Sequence, residues 1–100
     1  MKKPAVKTAK FSTGVYRLLL DTHVRGECIQ PDEWFPDYDP DARKEIYVDH
    51  RLKNRARLDT LIHECTHAEF PYMKEADVDR WATNMARLLW RLGYRCPDDV

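Results

Sequence analysis

The sequence carries no excess charge of either sign: Lys and Arg total 17, and Asp and Glu total 17. Without a positive balance the main electrostatic argument for a phosphate-backbone partner is gone, and no nucleic acid is expected. Also missing is any apolar run near the roughly 20 residues that cross a bilayer, so no membrane partner is expected. No apolar segment directly follows the basic N-terminal residues, so secretion is not indicated. Cysteine is scarce. Cys28, Cys65 and Cys96 form an odd set with no C-x-x-C pair, which argues against a disulfide framework and fits a reducing compartment. A cytoplasmic protein is therefore the expectation. No repeat and no low-complexity stretch is present.

What is there suits one small domain spanning residues 1–100: 43% of the chain is hydrophobic and 34% charged. Residues 1–12, with Lys2, Lys3, Lys7 and Lys10, read as a flexible basic tail. Gly14–Asp21 reads as a strand, and Cys28–Ile29 as the start of a second, short one. Pro31, Pro36 and Pro40, with four aspartates between and beside them, make Gln30–Ala42 a loop. Trp34, Phe35 and Tyr38 within it are expected to fold back over the core. Lys44–Asp49 alternates, with Ile46 and Val48 on one side and Glu45 and Tyr47 on the other, and is the clearest strand. Asp49 or His50 is placed to cap the next helix. Arg51–Phe70 holds strong helix formers and no Pro or Gly, with Leu58, Leu61, Ile62 and Cys65 as its apolar face. Pro71 stops it. A second helix runs from Lys74 or Glu75 to Leu92, striped by Val78, Trp81, Ala82, Met85, Leu88, Leu89 and Leu92, with Trp90 also expected in the core and Gly93 as its C-cap. The fold class expected is α+β.

His63-Glu64-Cys65-Thr66-His67 is an H-E-x-x-H motif. The four-residue step puts both histidines on one helix face, one turn apart, within reach of one metal ion. Glu64 lies about 100° round the helix. It suits the role of a base taking a proton from a water that the metal acidifies. Zinc needs a third protein ligand. His50 is too far along the helix axis, and His23 falls in an expected turn. Glu69 follows His67 by two residues and points elsewhere. The turn at Phe70–Met73 should bring Glu75 back to the metal, with Asp79 one turn further on, accepting the remaining N–H of His63 or His67. Swapped roles for Glu75 and Asp79 remain open. One Zn²⁺ per chain is expected; iron, cobalt or manganese could use the same donors. The ready base favours hydrolysis over oxygen chemistry.

At these residues the chain resembles a zincin metallopeptidase of the gluzincin type, most of all over Leu58–Ala68. Glu75-Ala76-Asp77-Val78-Asp79-Arg80-Trp81-Ala82 is similar to the glutamate helix of small metallopeptidases linked to phage-repressor cleavage and radiation response. In those, Ala-Asn stands where this chain has Val78-Asp79, and an aromatic and an alanine follow. Residues 46–94 also resemble small uncharacterised metallopeptidases of phages and bacteria. The resemblance implies a minimal zincin-like fold, a small sheet packed on an active-site helix and a C-terminal glutamate helix. It implies a peptide or protein substrate lying along an edge strand, here Ile46, Tyr47 and Val48. Tyr72 and Tyr47 are candidate oxyanion donors, with His23 and Tyr94 as others.

Two further readings are carried. One is a non-catalytic zinc-binding interaction protein of phage or bacterial type on the same scaffold. The other is a DNA-binding protein using Arg51, Lys53, Arg55 and Arg57, which are read in the first instance as a solvated face.

Overall fold

A computed structural model of the chain describes residues 8–22, 26–29, 44–49 and 51–96. Over these residues the protein is α+β. Four strands, β1 (Thr8–Phe11), β2 (Gly14–Thr22), β3 (Gly26–Ile29) and β4 (Lys44–Asp49), precede two helices, α1 (Asn54–Glu69) and α2 (Glu75–Arg91). The expected loop Gln30–Ala42 with Trp34, Phe35 and Tyr38, and the histidines His23 and His50, lie outside the described residues.

The strands form one sheet in the order β1-β2-β4-β3. β4 runs parallel to β2 and antiparallel to β3, with Ile46 opposite Leu18 on one side and Cys28 on the other. This corrects the expectation that Ile46, Tyr47 and Val48 offer a substrate edge. The backbone of β4 pairs with strands on both sides, so it has no open ladder for a peptide. The strand bordering the helices at the sheet's end is β3. The tail reading also changes: Thr8–Phe11 pairs with β2 in register Thr8↔Arg17 to Phe11↔Gly14. The Ser12 amide and hydroxyl donate to the Glu69 carboxylate at 2.6 and 2.5 Å, tying the β1–β2 turn to the end of α1. These two bonds hold the Glu69 carboxyl below its ordinary pKa.

Alternation along β2 and β4 puts Tyr16, Ile46 and Val48 on one sheet face, where they are buried against Ala68 of α1. Arg17, Glu45 and Tyr47 take the opposite face, joined by an Arg17–Glu45 ion pair at 2.7 Å and a Tyr47 hydroxyl donating to Glu45 at 2.9 Å. α1 packs on β3 and β4 and, through Leu58, Leu61 and Ile62, on α2. Asp49 does not cap α1, whose N-cap residue is Lys53. Its carboxylate instead accepts the Arg51 amide at 2.8 Å and pairs with the Arg51 guanidinium. Arg57, expected on a solvated face, is buried and donates to the Leu20 carbonyl at 3.2 Å.

α2 meets α1 through Val78, Ala82 and Ala86, all fully buried. Residues four apart form one ridge, and two alanines let the helices approach closely. Trp81, Leu88 and Leu92, expected in the apolar stripe, lie about 100° from that ridge and stand 48%, 47% and 64% exposed. Trp90 and Met85 are half-buried. Gly93 ends the helix at φ +94°, a left-handed conformation that glycine adopts without strain. Among the described residues no helix is long and apolar enough to cross a membrane.

Candidate metal centre

Two local facts bring the candidate ligands together. The first is the helical turn between His63 and His67 on α1. The second is the stop at Pro71. The Phe70 amide still bonds to the Thr66 carbonyl at 2.8 Å, and the Met73 amide bonds to the Phe70 carbonyl at 3.0 Å. The chain thus reverses within a few residues, and α2 starts at Glu75 beside the last turn of α1.

His63 Nε2 and His67 Nε2 face each other at 3.1 Å. The Glu75 carboxylate spans both, with Oε1 2.8 Å from His63 Nε2 and Oε2 2.9 Å from His67 Nε2. The donor atoms of His63, His67 and Glu75 all lie within 4.8 Å of one another, close enough to hold one metal ion. Asp79, one turn along α2, puts Oδ1 3.1 Å from Nδ1 of His63. The structure thus separates the two acids, with Glu75 at the nitrogens that face the common point and Asp79 behind one ring.

The donor set fits a cation. If the Nδ1 of His63 carries the ring proton toward Asp79, its Nε2 lone pair faces Glu75 and His67. Electron-pair donors converging on one point repel one another unless a proton or a metal cation lies among them. Zinc–ligand bonds of about 2.0–2.1 Å in a tetrahedral site hold donors about 3.3 Å apart, slightly wider than the spacings here. Small outward movements of the rings and carboxylate would admit the ion. Removing the Asp79 carboxylate frees the His63 ring to rotate. Asp79→Ala is therefore expected to weaken zinc binding about 10–100-fold, as read by competition with a chromogenic chelator.

Glu64 is 7% exposed, and its carboxylate lies beside Gly26 of β3, in the space between α1 and β3. A cavity of about 310 Å³ opens there, lined by Gly26, Asp59, Thr60, His63, Glu64 and Asp79. It joins one metal-ligand candidate to the candidate base in a single space. Cys28 and Cys65 lie close by. Burial pushes the Cys28 thiol up to about 12, with the Glu64 charge and Cys65 adding to it. Burial and then Glu64 push Cys65 up to about 11. Both stay protonated at neutral pH, so neither presents a thiolate that would rival the histidines.

Other expected site residues are not gathered here. Tyr47 lies on the sheet face opposite α1, because successive residues of a strand point to opposite sides. Its hydroxyl bonds to Glu45. Tyr72 is 98% exposed in the reversing turn, and the cavity is lined without it. Tyr94 is 61% exposed beyond the end of α2. Ile46 and Val48 are buried under α1. Conversely, Asp59, Thr60 and Gly26 line the cavity without having been expected there. Asp59 and Thr60 precede His63 and Glu64 by four residues, so helical spacing alone could have found them. Gly26 depends on how β3 meets α1, for which the sequence holds no local signal. No family model, no curated protein and no solved structure matches the chain.

Proposed function

We propose that this protein is a small zinc peptidase in which His63, His67 and Glu75 hold the metal and Glu64 is the general base. One observation supports this above all. Three donors converge on one point, and a buried carboxylate one residue from a candidate ligand faces a cavity shared with that ligand. Zinc bound by these donors would polarise a substrate carbonyl and acidify a water. Glu64 would take one proton from the attacking water and deliver it to the departing amine nitrogen. The carbonyl carbon exchanges its bond to nitrogen for one to oxygen. Asp79 holds the His63 ring in the orientation its ligand nitrogen requires.

The strand for the substrate to pair with is β3. Among the described strands it pairs with β4 alone, and Gly26 at its start lines the cavity. An extended peptide added along it would run beside Glu64. The test is metal analysis of protein purified without added metal, followed by a quenched-fluorescent peptide library. The expected result is about one zinc per chain and cleavage that a chelator abolishes. A chain that takes up zinc and cleaves no peptide would reduce the reading to a metal-binding interaction protein. A chain that takes up no zinc would remove both.

A further inference from the structure

We infer that Gly26 is a positioning residue for Glu64: its missing side chain lets β3 close onto the carboxylate and fixes where that carboxylate points. This rests on the reading of Glu64 as the base. A Cβ built at Gly26 would lie 2.6 Å from Thr60 Cγ2 and 2.9 Å from Glu64 Oε2, with the carboxyl carbon at 3.7 Å. Thr60 and Glu64 are one turn apart on α1, so one line of the helix rests on this single point of the strand.

Backbone conformation does not demand a glycine here. The glycines at positive φ are Gly14 and Gly93, and Gly26 sits in a strand opposite Val48. A glycine in a strand often marks close approach of another group. At Gly26 that group is the Glu64 carboxylate together with the Thr60 methyl. Cys28, two residues on and therefore on the same strand face, packs against the same core as Cys65 of α1. β3 thus turns this face to α1 along its length, and at Gly26 the gap is set by backbone alone. Any larger residue must displace the carboxylate or push the strand off the helix.

The two contacts can be separated. Thr60→Ser removes the Cγ2 methyl and leaves Glu64 untouched, so G26A/T60S is compared with T60S alone on the zinc-loaded chain. The substrate is the library peptide that the wild type cleaves fastest. The expected result is a kcat about tenfold or more below T60S, a KM within about threefold, unchanged zinc content and a melting temperature above that of G26A but below that of T60S. A kcat that recovers along with the melting temperature would make Gly26 a packing residue and overturn the inference. If the wild type cleaves no peptide, the peptidase reading fails by itself, and thermal melts decide the inference. G26A should then lower the melting temperature in the T60S background and leave it unchanged in the T60S/E64A background, where no carboxylate remains to be displaced. An equal loss in both backgrounds would overturn it.

Discussion

Glu64→Gln is expected to lower kcat about 10²–10⁴-fold, the range that a positioned general base supplies, while zinc content stays that of the wild type. The substitution keeps the shape of the side chain, so the narrow space between Thr60, Gly26 and α1 is filled as before. What it removes is the capacity to accept a proton. The amide cannot take one from water at neutral pH, and it has none to pass to the leaving nitrogen. The ligands are untouched because Glu64 lies about 100° round α1 from His63 and is not in the converging donor group. A melting curve of the same samples checks that the fold is retained. Glu64→Asp should fall between the two, because the carboxylate survives but is withdrawn by one methylene. Steady-state kinetics on one peptide, with metal analysis of the same samples, makes the comparison. Wild-type kcat in Glu64→Gln with zinc in place would remove Glu64 from the chemistry. Loss of zinc together with activity would show that the substitution had disturbed the ligands.

The parts of this site that could be read from the sequence are those governed by short-range geometry. His63, Glu64 and His67 sit on a stretch with no helix breaker, so their relative directions follow from the helical repeat. Glu75 was within reach because Pro71 forces an end to α1 and few residues are available for the reversal. Asp79 follows from the same repeat on α2. Sheet order was not legible in this way. The alternation of Glu45, Ile46, Tyr47 and Val48 states which face each residue takes, and that part holds: Ile46 and Val48 are buried and Glu45 and Tyr47 are on the other side. Alternation says nothing about whether a strand has one neighbour or two. That depends on β3 and β2 arriving on either side of β4, pairings that close long segments of chain. β1 was missed for the same reason. Thr8-Ala9-Lys10-Phe11 has little pattern of its own and takes its structure from β2 and from the Ser12–Glu69 contact. On α2, spacing identified an apolar stripe but not its centre. The close contact runs through Val78, Ala82 and Ala86, because small side chains admit a neighbouring helix where Trp81 and Leu88 cannot.

The second large effect expected is on stability. Zinc should raise the melting temperature of the wild-type chain, and His67→Ala should abolish most of that rise. A ligand at 100 times its Kd that binds only the folded state adds about 2.7 kcal/mol. Each kcal/mol is worth roughly 4–8 °C in a domain of this size, so a shift on the order of 10–20 °C is expected at that excess. The rise has a structural origin. The three donors lie on two helices whose only covalent link is the Pro71 turn, so an ion held by His63, His67 and Glu75 ties the start of α2 to the end of α1. In the unfolded chain Glu75 is no longer held beside the two imidazoles, and little of the binding energy survives. Removing His67 leaves one imidazole and one carboxylate, too few donors for a stable site. Glu75→Gln should behave similarly. Asp79→Asn should keep most of the shift, because Asp79 meets Nδ1 of His63 and not the nitrogen that faces the common point, and the Asn amide oxygen can still accept from that Nδ1–H. Melts with and without zinc, run on all three variants, therefore decide which acid is the ligand. If Asp79→Asn loses the shift and Glu75→Gln retains it, the assignments of the two acids are reversed. If His67→Ala retains the full shift, the metal is held elsewhere.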